Sequence, residues 1–375
     1  MSCTIFNLTN QEAVATQLFY SEADRLLITI VIPIITTLGV TSNVVFVLTI
    51  FHLRGMHNSL NTYLGHLAIS DILFLTIACC FYLLIYNSSP ILYNMPVSSS
   101  LGCVVFNVPF YFGHLASMGF ITLISIERFY AICHPIRHRV IKTNKRTILL
   151  VTITWLSTIG VALLLVPGYS KFSKMCVEWP KKPMFQDFPA TYTNCIPIIT
   201  SFQCSPEFLL SFTFMAALII NMVLHIQIIF TISRRSASFE MGSEQARNNR
   251  NATRKVTLTL AVNTLIYFLC QTPYRLHTID TIFNSVFDRQ LLGFDTDTGS
   301  TLWIISEVCL FVNSAINPFV FAVGSPIYRQ GLRDVLMIII CRRPKLKQKH
   351  GTTNWINQTS LDRRRTKSDP TSVDL

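Results

Sequence analysis

Several residues in this 375-residue chain could handle charge where charge is expensive. Glu127 and Arg128 stand side by side, followed by Phe129, where a long apolar segment runs into a basic loop. A charge within lipid survives only in a bundle interior or at an interface, so an acid and a base kept there read as a functional device. Asp71 stands alone near the centre of another apolar segment, in Leu67-Ala68-Ile69-Ser70-Asp71. An isolated carboxylate at that depth must be neutral, paired or bound to a cation. Asn313 and Asn317 share one helical face just before Pro318, which interrupts the backbone ladder, and they are candidate partners for Asp71. No nucleotide loop, metal-spaced cluster or hydrolytic triad with supporting context accompanies these groups, so the chemistry indicated is recognition and charge switching, not catalysis.

The elements that must position them follow from composition. Half of the residues are apolar and 13% are charged, the balance of a polytopic membrane protein. Seven stretches, at about 25–51, 60–86, 103–133, 147–168, 207–232, 255–284 and 300–323, reach the roughly 20 residues that span a bilayer as a helix. They are too long for barrel strands, so the fold class is all-α, a seven-transmembrane helix bundle. Most of the 31 Lys and Arg fall after the first, third and fifth helices and beyond the seventh. That bias puts the N-terminus outside and the C-terminus in the cytosol. The net charge of +12 is thus a topology signal, and basic residues split among short loops do not form a nucleic-acid face.

The expected division is an extracellular N-terminus at 1–24, the seven-transmembrane bundle at 25–323, a short amphipathic eighth helix at 324–341 and a disordered cytoplasmic tail at 342–375. The first 23 residues show no cleavable signal pattern, which leaves the first span as signal anchor. Asn7-Leu8-Thr9 and Asn87-Ser88-Ser89 are glycosylation sequons on the outer side, while those at Asn251 and Asn357 fall inside. Cys3, Cys103, Cys176, Cys195 and Cys204 face the oxidising side, and their odd number leaves one unpaired. A basic amphipathic stretch from Tyr328 ends at Cys341, which suits an interfacial helix anchored by palmitoylation. The terminal Val373-Asp374-Leu375 is a candidate ligand for a PDZ protein.

In the third helix Phe110, His114, Ser117, Ile121, Ile124 and Arg128 recur at helical spacing along one face. With Asn43, Asp71, Cys103, Glu127-Arg128-Phe129, Trp155, Cys270, Pro273 and Asn317-Pro318 in order, the chain resembles the rhodopsin-like (class A) G-protein-coupled receptors over about residues 25–341. The resemblance implies that Arg128 helps open a cytoplasmic cavity to a heterotrimeric G protein, with Glu127, Phe129, Asn317, Pro318 and position 321 taking part. It further implies that Asp71, Ser117, Asn313 and Asn317 form a central sodium-binding cluster, the one metal expected, with no other cofactor. A phosphorylated tail would recruit arrestin. A Cys103–Cys195 disulfide is implied between the third helix and the second outer loop, with Cys176 and Cys204 as competitors or as a pair of their own.

The chain departs from the family pattern at three places. Gln271 stands where the sixth helix usually has tryptophan, and Phe321 replaces the tyrosine of the seventh-helix motif. The fifth helix has no proline between Phe208 and Ser233, and Asn221 and His225 take the place of its inner tyrosine, which leaves its register open. No acid lies near Thr253, so Glu127 is expected to restrain Arg128.

The outer pocket candidates are Phe81, Tyr82, Phe110, Tyr111, His114, Gln271, Tyr274, Arg275, Trp303 and Glu307. Amine receptors of the family carry aspartate at the position of Phe110, which argues against an amine. Aromatic area with one base and one acid suits a short neuropeptide with an aromatic or amidated end. Arg275 and Glu307 either contact that ligand or pair with each other. Pro273-Tyr274-Arg275 is similar to a run in neuropeptide receptors, and the expected location is the plasma membrane. The rival readings are a receptor-fold protein that signals without a ligand and a multi-span transporter using Asp71, although the chain shows neither repeated halves nor matching broken helices.

Overall fold

The computed structural model describes residues 4–52, 58–198, 205–237, 244–287, 296–324 and 326–341. Within them, seven helices are long and apolar enough to cross a membrane: Glu22–Phe51, Ser59–Ser88, Ser100–Cys133, Asn144–Gly168, Pro206–Arg234, Arg254–Asp280 and Ile304–Gly324. These coincide with the stretches expected from hydropathy.

Local signals explain where the helices begin. A short strand β1 (Thr4–Asn7) and helix α1 (Glu12–Thr16) come first. Helix α2 (Glu22–Leu26) opens on a capping box, in which Ser21 accepts from the Asp24 backbone and Asp24 accepts from that of Ser21. It leads through a π turn, Leu27–Val31, into α3 (Ile32–His52). Asn58, Ser99 and Thr143 cap α4 (Ser59–Ser88), α5 (Ser100–Cys133) and α7 (Asn144–Leu164) by the same side-chain acceptance. Pro135, at the first position of α6 (Pro135–Ile141), separates that helix from α5. The remaining helices are α8 (Ser205–Ala237), α9 (Glu244–Phe287), α10 (Thr296–Gly324) and α11 (Pro326–Cys341), with Pro273 inside α9 and Pro318 inside α10.

Apolar residues divide between two surroundings. Phe46, Tyr63, Leu64, Phe120, Tyr267, Phe311 and Phe321 are fully buried, whereas Phe51, Leu101, Phe230, Leu269 and Val323 point outward. An apolar exterior around a core that also holds Asn43, Asp71 and Asn317 is what a hydrocarbon solvent selects.

Between α7 and α8 the chain forms β2 (Lys171–Glu178) and β3 (Thr191–Ile196), paired antiparallel with Phe172 opposite Cys195. Cys195 is bonded to Cys103 at the start of α5. Cys176 is disulfide-bonded as well; Cys3 and Cys204 lie outside the described residues. The first residues also belong to this layer. Strand β1 runs parallel to β2, and Leu8 and Ala15 bury against Val177 and Phe185. Phe19 sits edge-on to Phe185 and Phe188 at 5.5 and 4.8 Å.

The chain divides into two compact units, Met1–Leu336 and Met337–Leu375. In the second, the described residues are the last turn of α11; the expected tail at 342–375 lies outside them, and so does the side chain of Cys341.

Close packing of α3 against its neighbours depends on Gly39, where an added Cβ would sit 2.6 Å from Leu75 Cδ1 and 2.7 Å from Ala315 Cβ. Gly39→Ala is expected to destabilise the bundle by about 1–3 kcal/mol through overpacking. Gly160→Ala, where nothing lies within 4 Å, should leave stability unchanged or raise it by up to about 1 kcal/mol through helix propensity. Thermal unfolding in detergent compares the two, and equal melting temperatures would refute the packing account.

Candidate functional site

A cavity of about 210 Å³ opens at the end of the bundle nearest the sheet. Phe81 and Tyr82 reach it from α4, Phe110, Tyr111 and His114 from α5, Tyr274 and Arg275 from α9 and Glu307 from α10. Gln271, one turn deeper on α9, is buried with Oε1 unpartnered and is not among the lining residues. The side chain of Trp303 lies outside the described residues. The aromatic rings form a continuous series: Phe81 to Phe110 at 5.2 Å, Phe110 to Tyr111 at 5.6 Å and Tyr111 to Tyr169 at 5.3 Å between centroids.

Two opposite charges lie within this wall. Arg275 is 3% exposed, with its guanidinium 5.2 Å from the Phe214 ring centroid and 5.1 Å from that of Tyr274, two cation–π contacts. Its Nη2 donates to His114 Nε2 at 3.1 Å. An arginine nitrogen can only donate, so the ring must carry its proton on Nδ1. The Arg275 Nε and Nη1 atoms have no partner. Glu307 is 2% exposed and its Oε2 is likewise unpartnered. Among the described ion pairs none joins Arg275 to Glu307, so the two do not neutralise each other.

The N-terminal segment adds residues that the hydropathy pattern could not point to. Tyr20 and Asp24 line the cavity beside Leu92 and Tyr93 of the loop after α4. Burial pushes the Tyr20 phenol up to about 12, and the charge of Asp24 adds to this. Tyr93 holds φ at 59°, a backbone region that favours glycine.

Deeper in the bundle, Asp71 is completely buried among hydrogen-bond donors, with the Ser314 side chain as a neighbour beside Ser117 and Asn317. Ser117 Oγ donates to Oδ1 at 2.8 Å and Asn317 Nδ2 to Oδ2 at 2.6 Å. Ser70 joins Ser117 at 3.1 Å, and Asn43 Nδ2 donates to the Ser314 carbonyl at 3.0 Å. Four helices, α3, α4, α5 and α10, thus meet around one carboxylate. Of the two asparagines proposed as partners, Asn317 reaches Asp71; Asn313 is buried on α10 but makes no hydrogen bond to it.

At the far end Glu127 is held by His138 Nε2 at 2.9 Å from α6 and by Arg146 Nη1 at 3.2 Å from α7. It does not pair with Arg128, contrary to the sequence expectation. Adjacent helical residues point about 100° apart, so one stays on the inward stripe while the other turns toward its neighbours. Arg128 has a buried, unpartnered Nε, and Phe129 stacks edge-on with Tyr130 and His134. Phe321 packs on Phe46 and Tyr328 at 5.4 and 6.3 Å, and Tyr328 brings a hydroxyl that donates to Asn61 Oδ1 at 2.5 Å. Burial pushes the Tyr328 phenol up to about 12 against the opposing charge of Arg128. The register of α8 is set by polar contacts with α5: Asn221 donates to Thr122 at 2.9 Å and His225 meets Ser125 at 3.2 Å.

The family model for the seven-transmembrane receptors of the rhodopsin family matches residues 42–321. The chain belongs to this receptor family. Its relatives include the thyrotropin-releasing hormone receptor of Mus musculus, 25% identical over alignments covering 82% of this chain and 78% of that protein. Neuromedin-U receptor 2 of Mus musculus is 26% identical, covering 82% and 75%. A neuromedin U receptor homologue of Caenorhabditis elegans is 24% identical, covering 78% and 74%.

As a member of a receptor family, the protein is not an enzyme, and its seven spans make it a multi-pass membrane protein. The sequence reading of this receptor missed His138 and Arg146. Both lie in the basic loop that was used only for topology, and nothing local distinguishes a loop base that reaches Glu127 from one that stays in solvent. Arg146→Ala removes a partner from a nearly buried acid and is expected to cost about 1–3 kcal/mol. Arg25→Ala breaks only the exposed pair with Glu22 and should cost under about 1 kcal/mol. Denaturation midpoints of the solubilised receptor test the contrast, which equal losses would contradict.

Proposed function

We propose that this receptor binds a short extracellular peptide in the cavity beneath the sheet and, in response, activates a heterotrimeric G protein. The observation that carries the reading is the cavity wall itself, aromatic and apolar with Arg275 and Glu307 buried, each with unpartnered polar atoms, and facing the same space. A site built this way gains area from rings and orientation from a few polar groups. The relatives named for thyrotropin-releasing hormone and neuromedin U support the peptide class. The N-terminus and sheet lie outside the cell and the basic end inside, by the distribution of Lys and Arg. The location proposed is the plasma membrane, with sequons at exposed Asn7 and Asn87 on the outer side. Arrestin and a PDZ protein are proposed tail partners and Cys341 a palmitoylation site.

The ligand must bind the G-protein-coupling state better than the resting one, since equal affinity would shift nothing. On the inner side, Glu127 restrains the resting state by tying α5 to α6 and α7, and Arg128 is the residue freed toward the G protein with Phe129, Asn317, Pro318 and Phe321 around it. In the core, Asp71 with Ser117 and Asn317 supplies the oxygen donors that a sodium ion takes, and Asn43 Oδ1 is a further buried oxygen without a partner. Sodium would favour the state it binds and weaken agonist binding reciprocally.

Screening a peptide library for G-protein activation at matched surface expression tests the main reading; activity equal with and without every peptide would favour the ligand-independent alternative. Glu127→Gln weakens two charge-assisted bonds. A shift of about 1 kcal/mol would raise ligand-free activation about fivefold, and unchanged basal activity rejects that role. Asp71→Asn is expected to abolish the sodium dependence of agonist binding; if the dependence persists, the cluster is structural.

A further inference from the structure

We infer that the ligand is bipolar: it delivers a hydrogen-bond-accepting terminal group, an amide carbonyl or carboxylate, to Arg275 and a cationic side chain or amine to Glu307. This rests on the peptide reading of the cavity and adds a charge requirement to it.

The argument starts from what each group lacks. Arg275 is at least nine-tenths buried and uses one nitrogen on His114, leaving Nε and Nη1 without acceptors. Nε and Nη1 donate in the guanidinium plane toward different edges, so each has a direction open to an oxygen acceptor. The rings of Phe214 and Tyr274 hold that plane in place from their side. Glu307 lacks a donor at Oε2, and Tyr82 is its hydrogen-bonding neighbour. A buried carboxylate oxygen in this state calls for a charged donor, which no described residue supplies.

The second consideration is that the two charges share one cavity yet do not meet. Buried opposite charges with room to pair would relieve each other's desolvation. Kept apart, they form two poles, and a ligand with only one complementary pole would leave the other charge buried and unpaired. The selection is therefore for both poles together, with Phe81, Phe110 and Tyr82 receiving an aromatic side chain between them. An acidic or uncharged peptide is disfavoured by the same arithmetic, because it leaves Glu307 opposed or alone.

The test uses the purified full-length receptor and N-acetylated dipeptide amides that combine arginine with phenylalanine or tyrosine in both orders, so that the guanidinium is the one cation, each beside its citrulline counterpart, which keeps shape and loses charge. Affinity is read by thermal shift titration. The expected result is that at least one arginine probe binds about 30-fold or more tightly than its citrulline form on the wild-type receptor. On Glu307→Gln that ratio should fall to about one, with the citrulline probe unchanged. Arg275→Gln should weaken both forms alike and preserve the ratio. Since the arginine-to-citrulline change is made in the ligand, the wild-type comparison stands even if a variant fails to fold. Equal binding of charged and neutral probes, or an unchanged ratio on folded Glu307→Gln, overturns the inference. In cells, activation by peptides that lack any cation overturns it while leaving the peptide reading intact. Probe binding with the expected ratio but no G-protein response to any peptide rejects the signalling reading and upholds this one.

Discussion

Asp71 is the constraint around which the rest of the structure is arranged. A carboxylate with no exposed surface is tolerable only with donors on its oxygens, and those donors come from two other helices, Ser117 on α5 and Asn317 on α10. Asn43 of α3 ties into the same place through the Ser314 carbonyl. The contacts fix the rotation of four helices at once, and the close approach at Gly39 lets α3 come near enough to take part. Losing one donor would leave a buried acceptor unsatisfied, which costs about 1–3 kcal/mol, so the arrangement is both an anchor and a point at which two packings can be traded.

From that centre the polar stripe of α5 reaches both ends of the bundle, and the ends solve different problems. At the sheet end the charges are left open: Arg275 and Glu307 face a cavity without neutralising each other. At the basic end the charge is closed: Glu127 is satisfied by His138 and Arg146, and Arg128 stands beside it with its buried Nε unpartnered. The open end can gain energy from an incoming partner. The closed end can release a restraint. A signal passes between them only if both bias the same two-state packing, and the Asp71 cluster lies on the shared helix between them.

Substitutions that looked like losses in the sequence have counterparts in space. Phe321 has no hydroxyl, but the neighbouring ring of Tyr328 carries one to Asn61. Asn221 and His225 on α8 find Thr122 and Ser125 on α5, so the fifth span is held by polar contacts where an aromatic hydroxyl was expected. The N-terminal residues, read as the extracellular stretch before the first span, pack Leu8 and Ala15 against the loop between α7 and α8 and bring Tyr20 and Asp24 to the cavity.

The sequence by itself determined the seven spans, the family marks, and the aromatic and charged candidates of which eight line the pocket. Hydropathy and helical period act over a few residues, so they are legible without a partner. Only the tertiary structure decided that Asn317 and not Asn313 reaches Asp71, that Glu127 serves His138 and Arg146 in place of Arg128, and that Arg275 and Glu307 remain apart. Each of these depends on how far one helix is rotated and translated against another. That is set by the summed packing of whole helix faces, and no local pattern of residues encodes it.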